Sequence, residues 1–592
     1  MTDTTDENRA YARSTWVVSM LTMASRVLGF FRLILLVQLF SPVRWASDAF
    51  IFAFRIPNLF RNLLGEGALS AAFIPVFVRE EGEAGKESAS RLGSQALTAL
   101  GVIGGLVAAA GIAACLVVDS IWGDNEAASL AFRLTALLFP FMPLVCMAAL
   151  LGGMLQSMRR FALPAALSII LNLGFLAGFA YVYWWQCGGE VSRLRPGPAT
   201  YAVGIFILIA GAVEVVVQLP ALWRLGIMVR PAFSFSHPGL RKALVAFLPV
   251  ALGLGLVQIN AFFDSVIAGT LSLESPGAVT YLEIGFRFMQ LPLGVFGVAI
   301  ATVSFPAFAS AAGKDAVLFV SRLARALRMS LFLILPCSAF LVAMAEPIVR
   351  LACQRADLDF DHAAAYRSSL VLIFYAAGLI FYSFRQILVR AFYAQGEYKF
   401  PVKVSVVMVA LNLILNLTLI HAQDPFRTLA ENAGRNAGMM AAFAADYYTA
   451  WNLTPNAFPH GVKLGEAGLA LATMITAIAD TAVLGYALFK RMRPKLTAET
   501  SASGFGQVSA TALRMAIASL GLGVLTWLYR NSIPYDPGFF GLLERTIVPG
   551  ILSAGTFYII GIVMPLPEMR EFFTSLLFRK KSAVSNSDAS AK

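Results

Sequence analysis

This sequence is poor in charge. Only 14% of its 592 residues are charged, while 58% are hydrophobic and the mean hydropathy is +0.72. A soluble globular chain runs at about 25% charged, so a soluble enzyme and a disordered scaffold are both excluded as descriptions of the whole chain. The net charge of +12 is spread too thinly for a nucleic-acid footprint. Cysteine is also sparse. Cys115, Cys146, Cys187, Cys337 and Cys353 lie in or beside apolar runs with no CxxC spacing, which excludes a disulfide or zinc framework and suits small buried hydrophobes. His237, His362, His421 and His460 have no partner spacing, and HExxH, Walker A and GxSxG are all missing. No non-hydrophobic stretch approaches the ~100 residues of a soluble domain. The polar start MTDTTDENRAYARS does not read as a signal peptide, so the first apolar run is expected to be an uncleaved helix.

Long apolar sequence is what remains. Runs between charged or Pro/Gly-rich breaks predict helices over 16–40, 45–78, 92–118, 129–158, 161–186, 200–223, 243–272, 280–309, 329–352, 368–394, 402–421, 464–489, 509–531 and 546–567. At about 20 residues per span, these make an all-α polytopic membrane protein of about 14 transmembrane helices. Lys and Arg concentrate in the tails and in the loops from even to odd helices, as at Arg159/Arg160, Lys314/Arg322/Arg325/Arg328, Lys490/Arg491/Arg493/Lys495 and Arg579/Lys580/Lys581. The positive-inside rule then places both termini in the cytoplasm. Phe572, Phe573, Leu576 and Leu577 share a helical face beside basic residues, which suggests an interfacial helix on an anionic leaflet.

Two stretches about 231 residues apart resemble each other: FRIPNLFRNLLGEGALSAAFIPVF (54–77) and FRFMQLPLGVFGVAIATVSFPAF (286–308). Arg55 and Pro75 of the first correspond to Arg287 and Pro306 of the second. A fainter echo relates Gln156, Arg160, Phe161 and Pro164 to Gln395, Lys399, Phe400 and Pro401. The chain is therefore read as two six-helix repeats plus two extra C-terminal helices, with boundaries at 1–240, 241–495 and 496–592. Repeats of like orientation flank a central substrate path in transporters.

Within the apolar runs stand residues that lipid would reject. Arg26 and Arg32 sit in SRVLGFFR (25–32); Asp48, Arg55 and Arg61 follow in the second stretch, and Glu283 and Arg287 in the eighth. An arginine at mid-membrane costs about 2.5–3.5 kcal/mol, against a return of about 0.3–0.6 from each large apolar residue. These side chains are thus expected to face protein or water. Ion pairs that staple helices are one explanation. Arginine nevertheless outnumbers carboxylate even with Glu66 counted, and a cationic cavity suits an anion, phosphate above all. Pro57, Gly65 and Gly67 interrupt one stretch; Pro292, Gly294 and Gly297 interrupt its counterpart, as at transport sites. A second polar group comprises Asn260, Asp264, Asn412, Asn416, Thr473, Thr476 and Asp480. Its oxygens could hold Na⁺ or a proton, or could simply bond across helices.

At SRVLGFFR, SDAF (47–50) and the PNLFR…GEGA…AF-P run, the sequence resembles the MurJ/MviN family, the lipid II flippases of bacterial peptidoglycan synthesis, within the multidrug/oligosaccharidyl-lipid/polysaccharide exporter superfamily. The resemblance covers nearly the whole chain. It implies a multi-pass protein of the bacterial inner membrane with a cationic cavity for the lipid-linked pyrophosphate, and a groove at helices thirteen and fourteen for the polyprenyl tail. It carries the essential arginines onto Arg26, Arg32, Arg61 and Arg287, the acidic partner onto Asp48, the GEGA glutamate onto Glu66, and a sodium site onto Asp264, Asn412, Asn416 and Thr473. Leu33 replaces the acid that often follows the second arginine, and Asn416 stands where a carboxylate is sometimes found. No cofactor is implied beyond Na⁺ or H⁺ coupling and the membrane potential. The implied partners are lipid II, membrane lipids and proteins of peptidoglycan synthesis, with no nucleic acid. A flippase for another polyprenyl-pyrophosphate oligosaccharide and a multidrug exporter are the alternatives, although an exporter of organic cations calls for acids and aromatics where this chain has arginine.

Overall fold

The structure, a computed structural model, describes residues 2–40, 43–60, 69–122, 124–274, 276–353, 362–422, 463–492, 498–533 and 539–563. The expected interfacial helix near 572–577 and nearly all of the long loop 422–463 lie outside them. Each of the fourteen apolar stretches is mostly helical over its described residues, with short turns at 139–140, 217–218, 344 and 378. By length and composition, ten helices among the described residues are able to cross a membrane, or eleven if the bent pair Ala364–Ala377 and Leu379–Ala394 is one span. The chain is thus an all-α, multi-span membrane protein, and the count of fourteen spans is not confirmed.

Two compact units meet in the sequence at Thr280/Tyr281. The first contains α1 (Thr2–Phe40), α2 (Arg44–Phe60), α3 (Leu69–Trp122), α4 (Glu126–Leu138), α5 (Phe141–Ser157), α6 (Ala162–Tyr181), α7 (Pro196–Val216), the short α8 (Leu219–Arg224) and α9 (Pro238–Glu274). The stretch read as one helix over 45–78 contributes α2 and, after residues outside the description, the start of α3. At 54 residues α3 is about 80 Å long by helical rise, more than twice a ~30 Å bilayer core. Gly85 (φ 80, ψ 177) breaks it within the polar run REEGEAGKESASR, so its apolar ends belong to separate predicted spans. Gly174 and Gly178 let α6 approach α7 closely: a Cβ at Gly174 would lie 2.5 Å from that of Ala210. Small residues replace the hydrophobic drive that helices lack in lipid.

Between α8 and α9 the chain runs extended along α3. Gly226 (φ +84) closes α8 with Ile227 N donating to Leu222 O at 3.0 Å, a left-handed cap that favours glycine. Alternate backbone amides then donate to hydroxyls one helical turn apart: Met228 to Ser90 (3.1 Å), Arg230 to Ser94 (3.0 Å) and Ala232 to Thr98 (2.9 Å). His237 N ends the run on Gln95 Oε1 at 3.0 Å.

The second unit contains most of α10 (Ala278–Pro292), then α11 (Val298–Ala311), α12 (Ala316–Ala343), α13 (Ala345–Cys353), α14 (His362–Ala377), α15 (Leu379–Ala394), α16 (Lys399–Leu419), α17 (Glu466–Met492), α18 (Ala498–Ser532) and α19 (Phe539–Val563). The Pro292 interruption read from the sequence is a π-helical turn over Leu293–Gly297. Its core gathers Phe308, Phe319, Leu323, Ile387, Phe392 and Leu484.

Candidate functional site

Arg32 on α1 is the best-defined charge of the first unit. Its guanidinium lies 4.3 Å from the centroid of the Phe175 ring and 5.7 Å from that of Phe54. Phe54 of α2 and Phe175 of α6 meet edge to face at 5.1 Å, and Asn172 Nδ2 ties α6 to α1 by donating to Ser25 O at 3.1 Å. Ring faces attract a cation, so an apolar pocket accommodates the charge. Stacking engages the flat face of the guanidinium rather than its N–H edge, the part that grips phosphate. Arg26, six residues earlier and about 120° around the helix, is exposed.

Asp48 is buried and fully occupied. Its Oδ2 accepts from Gly277 N (2.5 Å), and its Oδ1 accepts from Thr280 N (2.8 Å) and Thr280 Oγ1 (2.6 Å). It therefore caps the start of α10 from another helix, satisfying amides that a helix N-terminus leaves open. Ser47 Oγ, 2.8 Å from Thr280 Oγ1, reinforces the junction. Arg55 is half-buried and reaches Ala261 O at 3.5 Å. Arg61 and Glu66 lie outside the described residues.

In the second unit Arg287 Nε donates to Glu283 Oε1 at 2.7 Å, one turn back on α10, with about a third of the arginine side chain exposed (34%). Asp264 belongs to the first unit, where it is buried. Asn412, Asn416 and Thr473 belong to the second. There Asn416 Nδ2 donates to Asn412 Oδ1 at 3.0 Å, and Asn412 Nδ2 lies 3.4 Å from Thr476 Oγ1. Thr473 Oγ1 donates to Leu469 O at 2.9 Å in its own helix. Among the described residues, no three His, Cys, Asp or Glu side chains gather as a metal site.

Several charge pairs escaped the sequence reading, among them Glu346 with Arg350 (2.8 Å) and Arg530 (3.8 Å) and two pairs that end on α17. Arg385 on α15 pairs through Nε with Asp480 Oδ2 on α17 and reaches Ser405 Oγ at 3.1 Å. Arg367 on α14 grips Glu466 through Nε (2.5 Å) and Nη2 (2.6 Å) and lies over the Tyr281 ring. Charge inside an apolar run is the signal that could have found Arg385; its partner is 95 residues away.

The sequence profile of the family described as "Lipid II flippase MurJ" matches residues 42–429. The chain is 31% identical over 410 residues to the "Probable lipid II flippase MurJ" of Rhizobium meliloti (strain 1021), covering 67% of this chain and 73% of that protein. The protein of the same description from Vibrio cholerae serotype O1 (strain ATCC 39315 / El Tor Inaba N16961) is 29% identical over 418 residues, covering 68% and 76%. Among solved structures, "Lipid II flippase MurJ, inward closed conformation" superposes with a TM-score of 0.67 at 21% identity, covering 92% of this chain and 99% of that one. An inward-facing multidrug resistance MATE family transporter of the MOP superfamily gives 0.56 at 15% identity, covering 84% and 98%. At these identities, both likenesses speak to fold.

Proposed function

The chain belongs to the lipid II flippase MurJ family, and from that premise we propose that it translocates lipid II across the cytoplasmic membrane, from the inner to the outer leaflet, by alternating access. The observation that carries this reading beyond membership is Arg32, a cation held on aromatic faces inside apolar sequence with its orientation fixed. Such a group suits the pyrophosphate that links the disaccharide-pentapeptide to its polyprenyl carrier. Arg26, Arg55, Arg61 and Arg287 add to the binding charge, with Glu283 orienting Arg287. Asp48 acts indirectly, by fixing the start of the helix that bears Glu283 and Arg287. Both termini are assigned to the cytoplasm, and the halves 1–240 and 241–495 with the appended 496–592 are the moving parts of the reading.

An anion leaving a cell that is negative inside gains about 2.3 kcal/mol per charge per 100 mV, so the arithmetic does not demand ATP. Depletion of the protein in its bacterium should make lipid II accumulate on the cytoplasmic side, with an Arg32→Ala copy unable to relieve it. Accumulation of a different polyprenyl-linked precursor would reassign the substrate; full rescue by Arg32→Ala would remove the arginine from the mechanism.

A further inference from the structure

The extended run between α8 and α9, taken with the helix ends that flank it (Trp223 and Arg224 of α8, Arg241 and Lys242 of α9), is basic and free of acid. From 219 to 245 there are four basic residues, Arg224, Arg230, Arg241 and Lys242, and no acid. All four are exposed, and among the described residues none pairs with a carboxylate. Four large apolar side chains are exposed beside them: Phe233 (75%), Met228 (57%), Trp223 (52%) and Phe235 (50%). On the facing part of α3, Glu83 and Glu87 are matched by Arg79 and Arg91, Glu80 accepts from Ser88 Oγ at 2.6 Å and lies 3.5 Å from His237 Nε2, and Glu81 is offset by Lys86 in net charge. The positive surplus of the run is thus not cancelled locally.

The run is also fixed in place by its backbone amides and by Ile227 and Val229, which are buried in a core cluster with Ala89, Leu92 and Ala96 of α3. The amides of Met228, Arg230 and Ala232 are spent on Ser90, Ser94 and Thr98, and Lys86 Nζ donates to Leu225 O at 2.9 Å. Anchoring of this kind leaves the phenylalanines and the cations available for something else. The flanking helices α7 and α9 are apolar, so a connection of this length stays within reach of the bilayer surface.

We propose that residues 223–242 form a docking strap for anionic phospholipid: Phe233 and Phe235 enter the interface of the leaflet they face while Arg224, Arg230, Arg241 and Lys242 hold lipid phosphates. The chemistry is that of interfacial anchors, in which apolar insertion and basic charge act together. An anionic leaflet matches both features of the strap, its exposed aromatics and its basic charge. This inference does not depend on which lipid-linked substrate is carried.

The test is amide hydrogen exchange of the full-length protein in nanodiscs of phosphatidylcholine, with or without phosphatidylglycerol. Adding the anionic lipid should slow exchange of residues 233–236 by roughly fivefold or more, and high salt should reverse the effect. The effect should vanish in Arg224→Gln/Arg230→Gln/Arg241→Gln/Lys242→Gln and shrink in Phe233→Ser/Phe235→Ser. Unchanged exchange in α6 and α7 reports that the variants are folded, and the salt arm on the unaltered protein stands if they are not. Equal exchange with and without the anionic lipid overturns the proposal. Protection that requires added soluble protein instead of phosphatidylglycerol also overturns it, and assigns the strap to a protein partner.

Discussion

At Asp48, three donors converge on one carboxylate, and two of them are backbone amides that open α10. Stranding buried donors costs about 1–3 kcal/mol, so Asp48→Ala should lower the thermal midpoint of the purified protein. Asp48→Asn, which keeps one acceptor oxygen, should recover part of the loss; an unchanged midpoint for Asp48→Ala would show that the amides have another partner. Arg287 offers a contrasting case. Arg287→Lys preserves the charge but not the planar fork, whereas Arg287→Ala should lose roughly ten- to hundredfold in lipid II affinity at matched ionic strength. Equal binding by the two variants would contradict the electrostatic role. Both residues were visible in the sequence as charges in apolar runs. Their partners were less so: Glu283 is a helical neighbour, readable from spacing, but Gly277 is 229 residues from Asp48 and only the packing of α2 beside α9 brings it near.

A bent helix pair is stapled twice to one helix. α14 and α15 meet at Gly378 with a 41° bend, and each half carries an arginine bound to α17: Arg367 to Glu466, Arg385 to Asp480. Removing one partner of a buried pair costs about 3–5 kcal/mol, while replacing both with apolar groups is often neutral. Arg385 is partly exposed, so the lower end is expected. Asp480→Leu alone should therefore destabilise, and Arg385→Met/Asp480→Leu should regain most of the loss in the same unfolding assay. If the double variant merely summed the single losses, the two side chains would not be coupled. Hydropathy found the apolar part of each span because such a run has few other structures in lipid, but not the polar extensions: Arg322, Arg325 and Arg328, read as loop, are helical in α12. It also separated the spans on either side of Gly85 and marked the interruption at Pro292, but it read 368–394 as one helix and missed the bend at Gly378. At that bend a Cβ on residue 378 would meet Tyr382 Cε2 at 3.0 Å and Met474 Cγ at 3.1 Å, a closeness that favours glycine and that only the folded packing reveals. Gly378→Ala is accordingly expected to slow transport in reconstituted vesicles while leaving the helices intact by circular dichroism.

For the molecule as a whole, membership of the family was legible in its longest motif, and the multi-span fold in composition alone. A carrier of anions that exploits the membrane potential should slow when the potential is collapsed by a potassium ionophore, and recover when an inside-negative gradient is restored. Vesicles that flip lipid II at the same rate in both states would separate transport from the potential. The arginines announced an anion, yet the sequence could not say how a cation persists among phenylalanines, because ring faces become a solvent for Arg32 only when α1, α2 and α6 pack together.

The amide-to-hydroxyl rungs between the strap and α3 carry a consequence of simple commensurability. Four helical residues advance about 6.0 Å, whereas two extended residues advance about 6.6 Å. The two rulers slip by roughly 0.6 Å at each rung, so a run of such bonds has a natural length beyond which the next oxygen is out of register. The periodic hydroxyls stop where that slippage has grown: Ser90, Ser94 and Thr98 are followed at the next turn by Val102. The side chains thus act as a vernier scale that measures out how far the chain is carried along α3 before it is released toward α9.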